Sequence, residues 1–589
     1  MATSTGSTAP NIDPITFEVV NNGLAAICDH MANSLRRTAN SPIIHDAADF
    51  SCALHDLEGN LIAQQGGCPI HLGTMPYTVQ AAMKKFGLEN MREGDIYCLN
   101  DPYLGSVHLN DVMFVAPYFY KGEMVALVAN RAHWPDIGGY EASGVGGSAV
   151  THLFHEGIVV PPIRVREAGK MNQDVIDLLM YNVRGPEERL GDMYSQIAAI
   201  ETGIYRLDEP IDKYSLPVFR ACMAEALDLA ARRMREAIRQ VPDGVYSFED
   251  QMDDDGVSAE DIKIKMTITI AGDRLLVDFT GTGDQVRGAI NSAWGITYST
   301  CYIILKALLD PFGPNNSGWY KLIDFVLPPG SLVNPEWGRP VFGGPVETGL
   351  RIKDVILGAL APVMPQKVIG APYGTIDTSF MSGLDRRGKD WIYNDWIPGG
   401  WGGRFDSDGI SCMIEMIGNT DDIPIEVAEL KYPLRYRRSE LRTDSGGPGK
   451  YRGGLGTLRE IEVLEGTARA CIQADRTKTA PWGIFGGMPA ARTRYSHVKR
   501  NGDVEVKGGI DANGQPQSAK KAFDVQKGEA LRIESGGGAG YGGPLERDKS
   551  AVLHDLHSGY ISREAAVTYY GLTPAEVAQA EAVWAEGQP

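Results

Sequence analysis

The stretch that most constrains this chain is Asn100–Glu141, which reads NDPYLGSVHLNDVMFVAPYFYKGEMVALVANRAHWPDIGGYE. It holds the spacing His-x-x-Asp twice, as His108-Leu109-Asn110-Asp111 and as His133-Trp134-Pro135-Asp136. Between the copies lie two apolar runs, Val112–Phe119 and Met124–Val128, parted by Lys121-Gly122-Glu123. Two β-prone runs about a short glycine-containing break predict a β-hairpin. An antiparallel pair brings the end of its second strand beside the start of its first. A turn centred on Gly122 therefore sets Asp111 opposite His133 and His108 opposite Asp136. Opposed residues lie about 4.5–5.5 Å apart at Cβ, close enough for two imidazoles and two carboxylates to share one divalent transition metal. Parity adds a condition. Residues three apart on a regular strand point to opposite faces, so the chain must leave strand geometry across His108–Asp111, where Gly105 and Asn110 stand ready to turn it.

Composition bears on partners and compartment. At 589 residues the chain exceeds one ordinary core, and two to four domains are expected. An apolar content of 43% with 22% charged residues is that of a soluble globular protein. The net charge of −19 argues against nucleic acid as a partner, because phosphate binding wants a basic surface. No run approaches the length of a membrane span. The opening MATSTGSTAPNIDP has neither a basic nor an apolar region and reads as a polar leader, not a signal peptide. Eight cysteines, at positions 28, 52, 68, 98, 222, 301, 412 and 471, are scattered without a Cys-x-x-Cys pair. That distribution points to a reducing compartment, the cytoplasm, and to mostly buried, inert thiols. Eight of the eleven histidines, at positions 30, 45, 55, 71, 108, 133, 152 and 155, precede residue 156, so the N-terminal third is where a metal or acid–base site is expected.

The order of elements reads as an α+β, multi-domain protein with mixed sheets, long helices and a β- and Gly-rich C-terminal half. Residues 1–242 are expected to form the metal-site domain, 243–364 an α/β middle domain and 365–589 a β- and Gly-rich domain with a helical tail. Helices are predicted over 14–37, from His71 to about Phe86, and over 172–182, 187–207 and 215–240. A second hairpin is predicted over 50–54 and 61–64. Asp49 immediately precedes it and His71 opens the following helix; either residue lines the site or serves only as a cap. His152, His155 and Glu156 read as structural more readily than as substrate contacts. No Gly-x-x-x-x-Gly-Lys-[Ser/Thr] and no Gly-x-Ser-x-Gly elbow occurs, so neither nucleotide-binding residues nor a serine hydrolase is expected. The glycine-rich 535–544 instead suits close approach of backbones.

Asp13-Pro-Ile-Thr-Phe-Glu-Val-Val20, Asp49-Phe-Ser-Cys-Ala-Leu54, His71-Leu-Gly-Thr-Met75 and Asn100-Asp-Pro-Tyr103 resemble the hydantoinase B family. So do His108-Leu-Asn-Asp111, His133-Trp-Pro-Asp-Ile-Gly-Gly139, the segment Asn182–Asp192, Arg452-Gly-Gly-Leu-Gly456, Ala480-Pro-Trp-Gly483 and Ser535–Pro544. The resemblance runs in order along essentially the whole chain. One departure is Trp134, where many relatives carry a second histidine.

The resemblance implies a subunit rather than a complete enzyme. Its partner would be a hydantoinase A-like chain that hydrolyses ATP with magnesium, in a heterotetramer of two plus two. Relatives include N-methylhydantoinase, 5-oxoprolinase, caprolactamase and the acetone and acetophenone carboxylases. By residue-for-residue match His108, Asp111 and His133 would bind a zinc, manganese or iron ion, and Asp49, which matches an acidic position near it, is counted with them as a ligand. The implied reaction opens a cyclic amide of hydantoin, 5-oxoproline or lactam type. The partner would phosphorylate the amide oxygen and this chain would supply a metal-activated water; read from the residues themselves, Asp136 is the candidate to steer that water and His71 the candidate substrate contact. Ketone carboxylation at the same metal and a non-catalytic scaffold are the competing readings; the length of 589 residues lies nearer the hydrolases.

Overall fold

The hairpin forms, and a sheet is built outward from it. The computed structural model describes residues 12–585. Most of the expected polar leader lies outside the described residues. After helix α1 (Pro14–Thr38) and the short α2 (Pro42–His45) come strands β1 (Phe50–His55) and β2 (Leu61–Gln64), helix α3 (Pro69–Phe86) and strand β3 (Ile96–Leu99). Strands β4 (Asp111–Tyr120) and β5 (Glu123–His133) are the two arms of the hairpin. Helix α4 (Leu153–Glu156), β6 (Ile163–Glu167) and β7 (Lys170–Met171) follow, then helices α5 (Gln173–Met180), α6 (Pro186–Tyr214) and α7 (Leu216–Arg239). The first seven strands make one antiparallel sheet in the order β2-β1-β5-β4-β3-β6-β7.

Both faces of this sheet are covered, which explains why its central strands are apolar runs rather than alternating ones. Cys52, Leu54, Phe114, Ala116 and Val128 pack with Leu24, Cys28 and Met31 of α1. Their sequence neighbours Ala53, Met113, Val115, Leu127 and Ala129 pack with Leu72, Met75 and Val79 of α3 on the other face. Helix α6 runs past the Leu207 at which the sequence pattern stops and continues through Pro210 to Tyr214. Leu207 and Ile211, both buried on one face, offset the hydrogen bond that Pro210 forfeits.

Three further sheets complete the α+β architecture. Strands β8 (Gly244–Asp254), β9 (Glu260–Ala271), β10 (Arg274–Asp278) and β11 (Ile323–Val326) form the second, with helices α8 (Trp294–Leu309) and α9 (Gly349–Leu360) beside it. The β10–β11 pair is parallel. Strands β12 (Thr378–Leu384) and β13 (Asp390–Trp396), α10 (Ile425–Lys431), β14 (Leu434–Leu441), β15 (Thr457–Val463) and β16 (Thr467–Gln473) come next. Then follow β17 (Arg494–Val498), β18 (Val504–Ile510), β19 (Pro516–Gln517), β20 (Lys521–Gln526) and β21 (Ala530–Glu534). They divide into sheets ordered β13-β12-β16-β20 and β14-β15-β21-β17-β18-β19. The helical tail is three short helices, α11 (Lys549–His557), α12 (Arg563–Thr568) and α13 (Pro574–Ala585), separated at Gly559 and Gly571, whose φ values are +73° and +71°. Among the described residues no helix is long and apolar enough to cross a membrane.

The glycine-rich C-terminal segments pack backbone on backbone. A Cβ on Gly538 would stand 1.9 Å from the Trp401 carbonyl oxygen, and one on Gly453 would stand 1.6 Å from that of Gly538. Gly538→Ala is therefore expected to cost about 3 kcal/mol or more, read as a lowered thermal midpoint and poor recovery of folded protein. Gly23, inside α1 with nothing within 4 Å of an added Cβ, is the contrast. Gly23→Ala is expected to stabilise by roughly 0.5–1 kcal/mol.

Candidate metal centre

Strand β4 begins at Asp111 and β5 ends at His133, and the two are paired across the ladder. His108 lies before the strand, in a turn closed by the Asp111 N–H donating to the His108 carbonyl at 3.1 Å. Gly105, at φ +91°, is in the left-handed conformation and ends the short 3-10 turn Pro102–Leu104 just before it. Leaving strand geometry here lets His108 fold back over its neighbour. His108 Nε2 lies 3.1 Å from His133 Nδ1, and each nitrogen lies 3.1 Å from Asp111 Oδ1. Three donor atoms so spaced could serve one ion together. The donor set and its spacing fit a divalent transition metal.

Two more residues join the cluster. Asp49 leads into β1, and its carbonyl accepts the His133 N–H at 3.0 Å. Its carboxylate oxygens stand 3.7 Å from His71 Nε2 and 3.9 Å from His133 Nδ1. His71 sits in the first turn of α3, which starts at Pro69, and its Nε2 is 3.0 Å from Asp111 Oδ2. Arg131 fixes that turn from behind by donating to the His71 carbonyl at 3.2 Å and to Thr74 and Thr78. All five cluster residues are buried. Burial pushes the Asp111 carboxyl up, but His108, His71 and His133 outweigh it and hold that group well below the usual carboxylate range. For Asp49 burial wins over His133 and His71, and its carboxyl is raised. Three buried polar atoms of the cluster, His108 Nδ1, His133 Nε2 and Asp111 Oδ2, make no hydrogen bond.

The structure engages Asp136 elsewhere. Its carboxylate accepts from the backbone N–H groups of Gly138, Ser143 and Arg184 and pairs with the Arg184 guanidinium at 3.0 Å. It anchors the loop that leaves the hairpin, and His108 faces His133 and Asp111 instead. Trp134 is fully buried and donates its indole N–H to Gln196 on α6. His152 caps α4 by accepting from the Phe154 N–H, and His155 accepts from the Thr151 N–H, so both do structural work.

Sequence reasoning missed two kinds of residue. Cys68, read as an inert thiol, closes a second group of metal-compatible donor atoms with Asp49 and His71, all within 4.8 Å of one another. The cavity over the cluster, about 40 Å³, is walled by Pro345, Val346, Ile376, Trp396 and Ile417, all from the C-terminal two-thirds of the chain. Phe342 adds a ring 4.6 Å from that of His108. No local signal marks these residues, because chain reversals hundreds of residues long bring them to the hairpin.

The buried carboxylates and imidazoles under this apolar roof are donor groups that could hold a divalent metal ion. The sequence profile described as hydantoinase B/oxoprolinase matches residues 13–544, and the chain belongs to that family. It is 34% identical, over 95% of its own length and 95% of the other's, to the provisionally named hydantoinase B component of a D-/L-hydantoinase from Pseudomonas sp. (strain NS671). It is 31% identical to the beta chain of the caprolactamase of Pseudomonas jessenii, over 95% of this chain and 96% of that one. The crystal structure of the ATP-dependent caprolactamase of that organism matches with a TM-score of 0.88 and 29% identity, over 97% of this chain and 99% of that chain. Nucleotide-free acetone carboxylase, 21% identical with a TM-score of 0.86 over 98% of this chain and 83% of that chain, shares the fold.

Glu156 links the roof to protonation. Its Oε1 accepts the Phe342 N–H at 2.7 Å, and burial pushes its carboxyl from 4.5 up to about 8. The folded chain thus holds a proton that the unfolded chain sheds. The stability this contributes is full below pH 4.5 and is lost as pH rises through about 8. Glu156→Gln keeps the acceptor and removes the ionisation. Its drop in unfolding midpoint between pH 5 and pH 8 is expected to be smaller than that of the wild type, by the equivalent of roughly 3–5 kcal/mol.

Proposed function

We propose that this chain is the metal-bearing subunit of a cytoplasmic, ATP-dependent amidohydrolase that opens a cyclic amide of hydantoin, 5-oxoproline or lactam type. The observation that carries this reading is a buried cluster of histidines and carboxylates in a chain similar end to end to one chain of a caprolactamase. In this reading a hydantoinase A-like partner binds ATP and magnesium and phosphorylates the amide oxygen. That step breaks the resonance that makes an unstrained amide a poor electrophile. His108, Asp111 and His133, with Asp49 beside them, would hold a zinc, manganese or iron ion. Such an ion supplies Lewis acidity and lowers the pKa of water toward neutrality. The walls Pro345, Val346, Ile376 and Ile417 keep bulk water from the activated amide. Asp136 acts at a distance in this scheme, as a positioning residue that holds the hairpin's exit.

ATP turnover by the chain together with its nucleotide-binding partner tests the reading. A cyclic amide is expected to stimulate turnover without bicarbonate; a strict bicarbonate requirement would replace this reading with ketone carboxylation. His108→Ala is expected to lose bound metal and to lower amide-stimulated turnover by at least about 100-fold, the upper end of what changes outside the ligand set cost. Retention of full metal content by that variant would remove His108 from the site.

A further inference from the structure

Each carboxylate of the cluster divides its two oxygens between two places. Asp111 turns Oδ1 to His108 Nε2 and His133 Nδ1, at 3.1 Å from each, and Oδ2 to His71 Nε2 at 3.0 Å. Asp49 turns Oδ2 toward His133 Nδ1 at 3.9 Å and Oδ1 toward His71 Nε2 at 3.7 Å. A carboxylate serving one ion commonly has its second oxygen hydrogen-bonded by a neighbouring side chain, whereas His71 Nε2 makes no such bond to Asp111 Oδ2 and stands 3.7 Å from Asp49 Oδ1. Two carboxylates that divide their oxygens between the same pair of positions have the arrangement that bridges two metals.

The second position has its own ligands. Asp49, Cys68 and His71 offer one donor atom each, all within 4.8 Å of one another. They line the same cavity as His108 and Asp111, so space adjoins the donors. Asp111 Oδ2 is buried and makes no hydrogen bond of acceptable geometry, although His71 Nε2 stands 3.0 Å away. A buried carboxylate oxygen without a hydrogen bond is costly unless something else satisfies it. The hydrogen bond of the Cys68 thiol to the Ile417 carbonyl, 3.8 Å long, is weak competition for a ligand's role.

We infer that the chain holds a second divalent ion at Asp49, Cys68 and His71, joined to the first through the carboxylates of Asp111 and Asp49. This rests on the assignment of the first ion to His108, Asp111 and His133. It gives His71 a ligand's role in place of the substrate contact expected from sequence. A thiolate, an imidazole and a carboxylate select a borderline-soft cation, which makes zinc the ion for this position. The thiol gives up its proton as the ion binds, so occupation releases acid to solvent.

Elemental analysis of the full chain saturated with zinc, and absorption spectra of the cobalt(II) form, test the inference. Wild type is expected to bind two ions per chain, and Cys68→Ser one. The cobalt form is expected to show thiolate-to-metal charge-transfer absorption in the near ultraviolet, and Cys68→Ser to lack it although the other seven cysteines remain. One ion in saturated wild type overturns the inference, as does persistence of two ions or of the thiolate band in Cys68→Ser. If Cys68→Ser does not fold, wild-type stoichiometry and spectrum decide alone. A single wild-type ion that His108→Ala loses would overturn only the second site; no ion in the wild type would overturn both metal assignments.

Discussion

An ionised carboxylate taken out of water costs several kcal/mol unless partners surround it. Asp111 is fully buried, and much of the N-terminal sheet serves to supply those partners. The β4–β5 ladder presents His133, the turn before β4 folds His108 over it, and α3 brings His71 to the other oxygen. Each imidazole comes from a different local structure, so the charge is compensated only when hairpin, turn and helix are all in place. Arg131 extends the dependence one layer further. Its guanidinium is buried and held by carbonyl and hydroxyl oxygens that position α3.

The cluster is nearly sealed. Its roof comes from the segments around Pro345, Ile376, Trp396 and Ile417, which belong to later elements of the chain. Short backbone bonds tie this roof to the floor: Ile70 N–H donates to the Ile417 carbonyl at 3.0 Å, and Asp421 N–H to the Ala47 carbonyl at 2.8 Å. The Asn419 side chain adds a bond to the Gly66 carbonyl at 2.8 Å. Apolar walls lower the local dielectric, so every charge interaction inside is stronger than it would be at the surface.

The hairpin was legible because its signal is local. Two apolar runs, a glycine turn and a doubled His-x-x-Asp lie within about forty residues, and the pairing of Asp111 with His133 follows from counting. The parity of His108 and Asp111 also foretold a turn, and the chain has one there. Beyond His133 the counting failed, because β5 ends at that residue and Asp136 turns toward Arg184, a partner 48 residues on. Cys68 escaped notice because its relation to Asp49 depends on how α3 sits on the sheet. The roof escaped for the same reason at greater range: Trp396 and Ile417 carry no mark of their distant neighbours. The α+β class was visible in the order of elements and the tight glycine segments in the local sequence, whereas the distribution of β15 and β16 into different sheets was not.

The glycine contacts of the C-terminal half carry a consequence for how such a chain diversifies. Where Gly538 touches the Trp401 carbonyl and Gly453 touches Gly538, no side chain of any kind fits, so those positions are closed to variation. The scaffold that carries the roof is thereby frozen in outline. The four aliphatic side chains over the cluster, at Pro345, Val346, Ile376 and Ile417, by contrast each face a cavity of about 40 Å³. Variation in the shape of the space above the cluster thus falls more readily to a few methyl and methylene groups, carried by a backbone whose glycine contacts admit no added side chain.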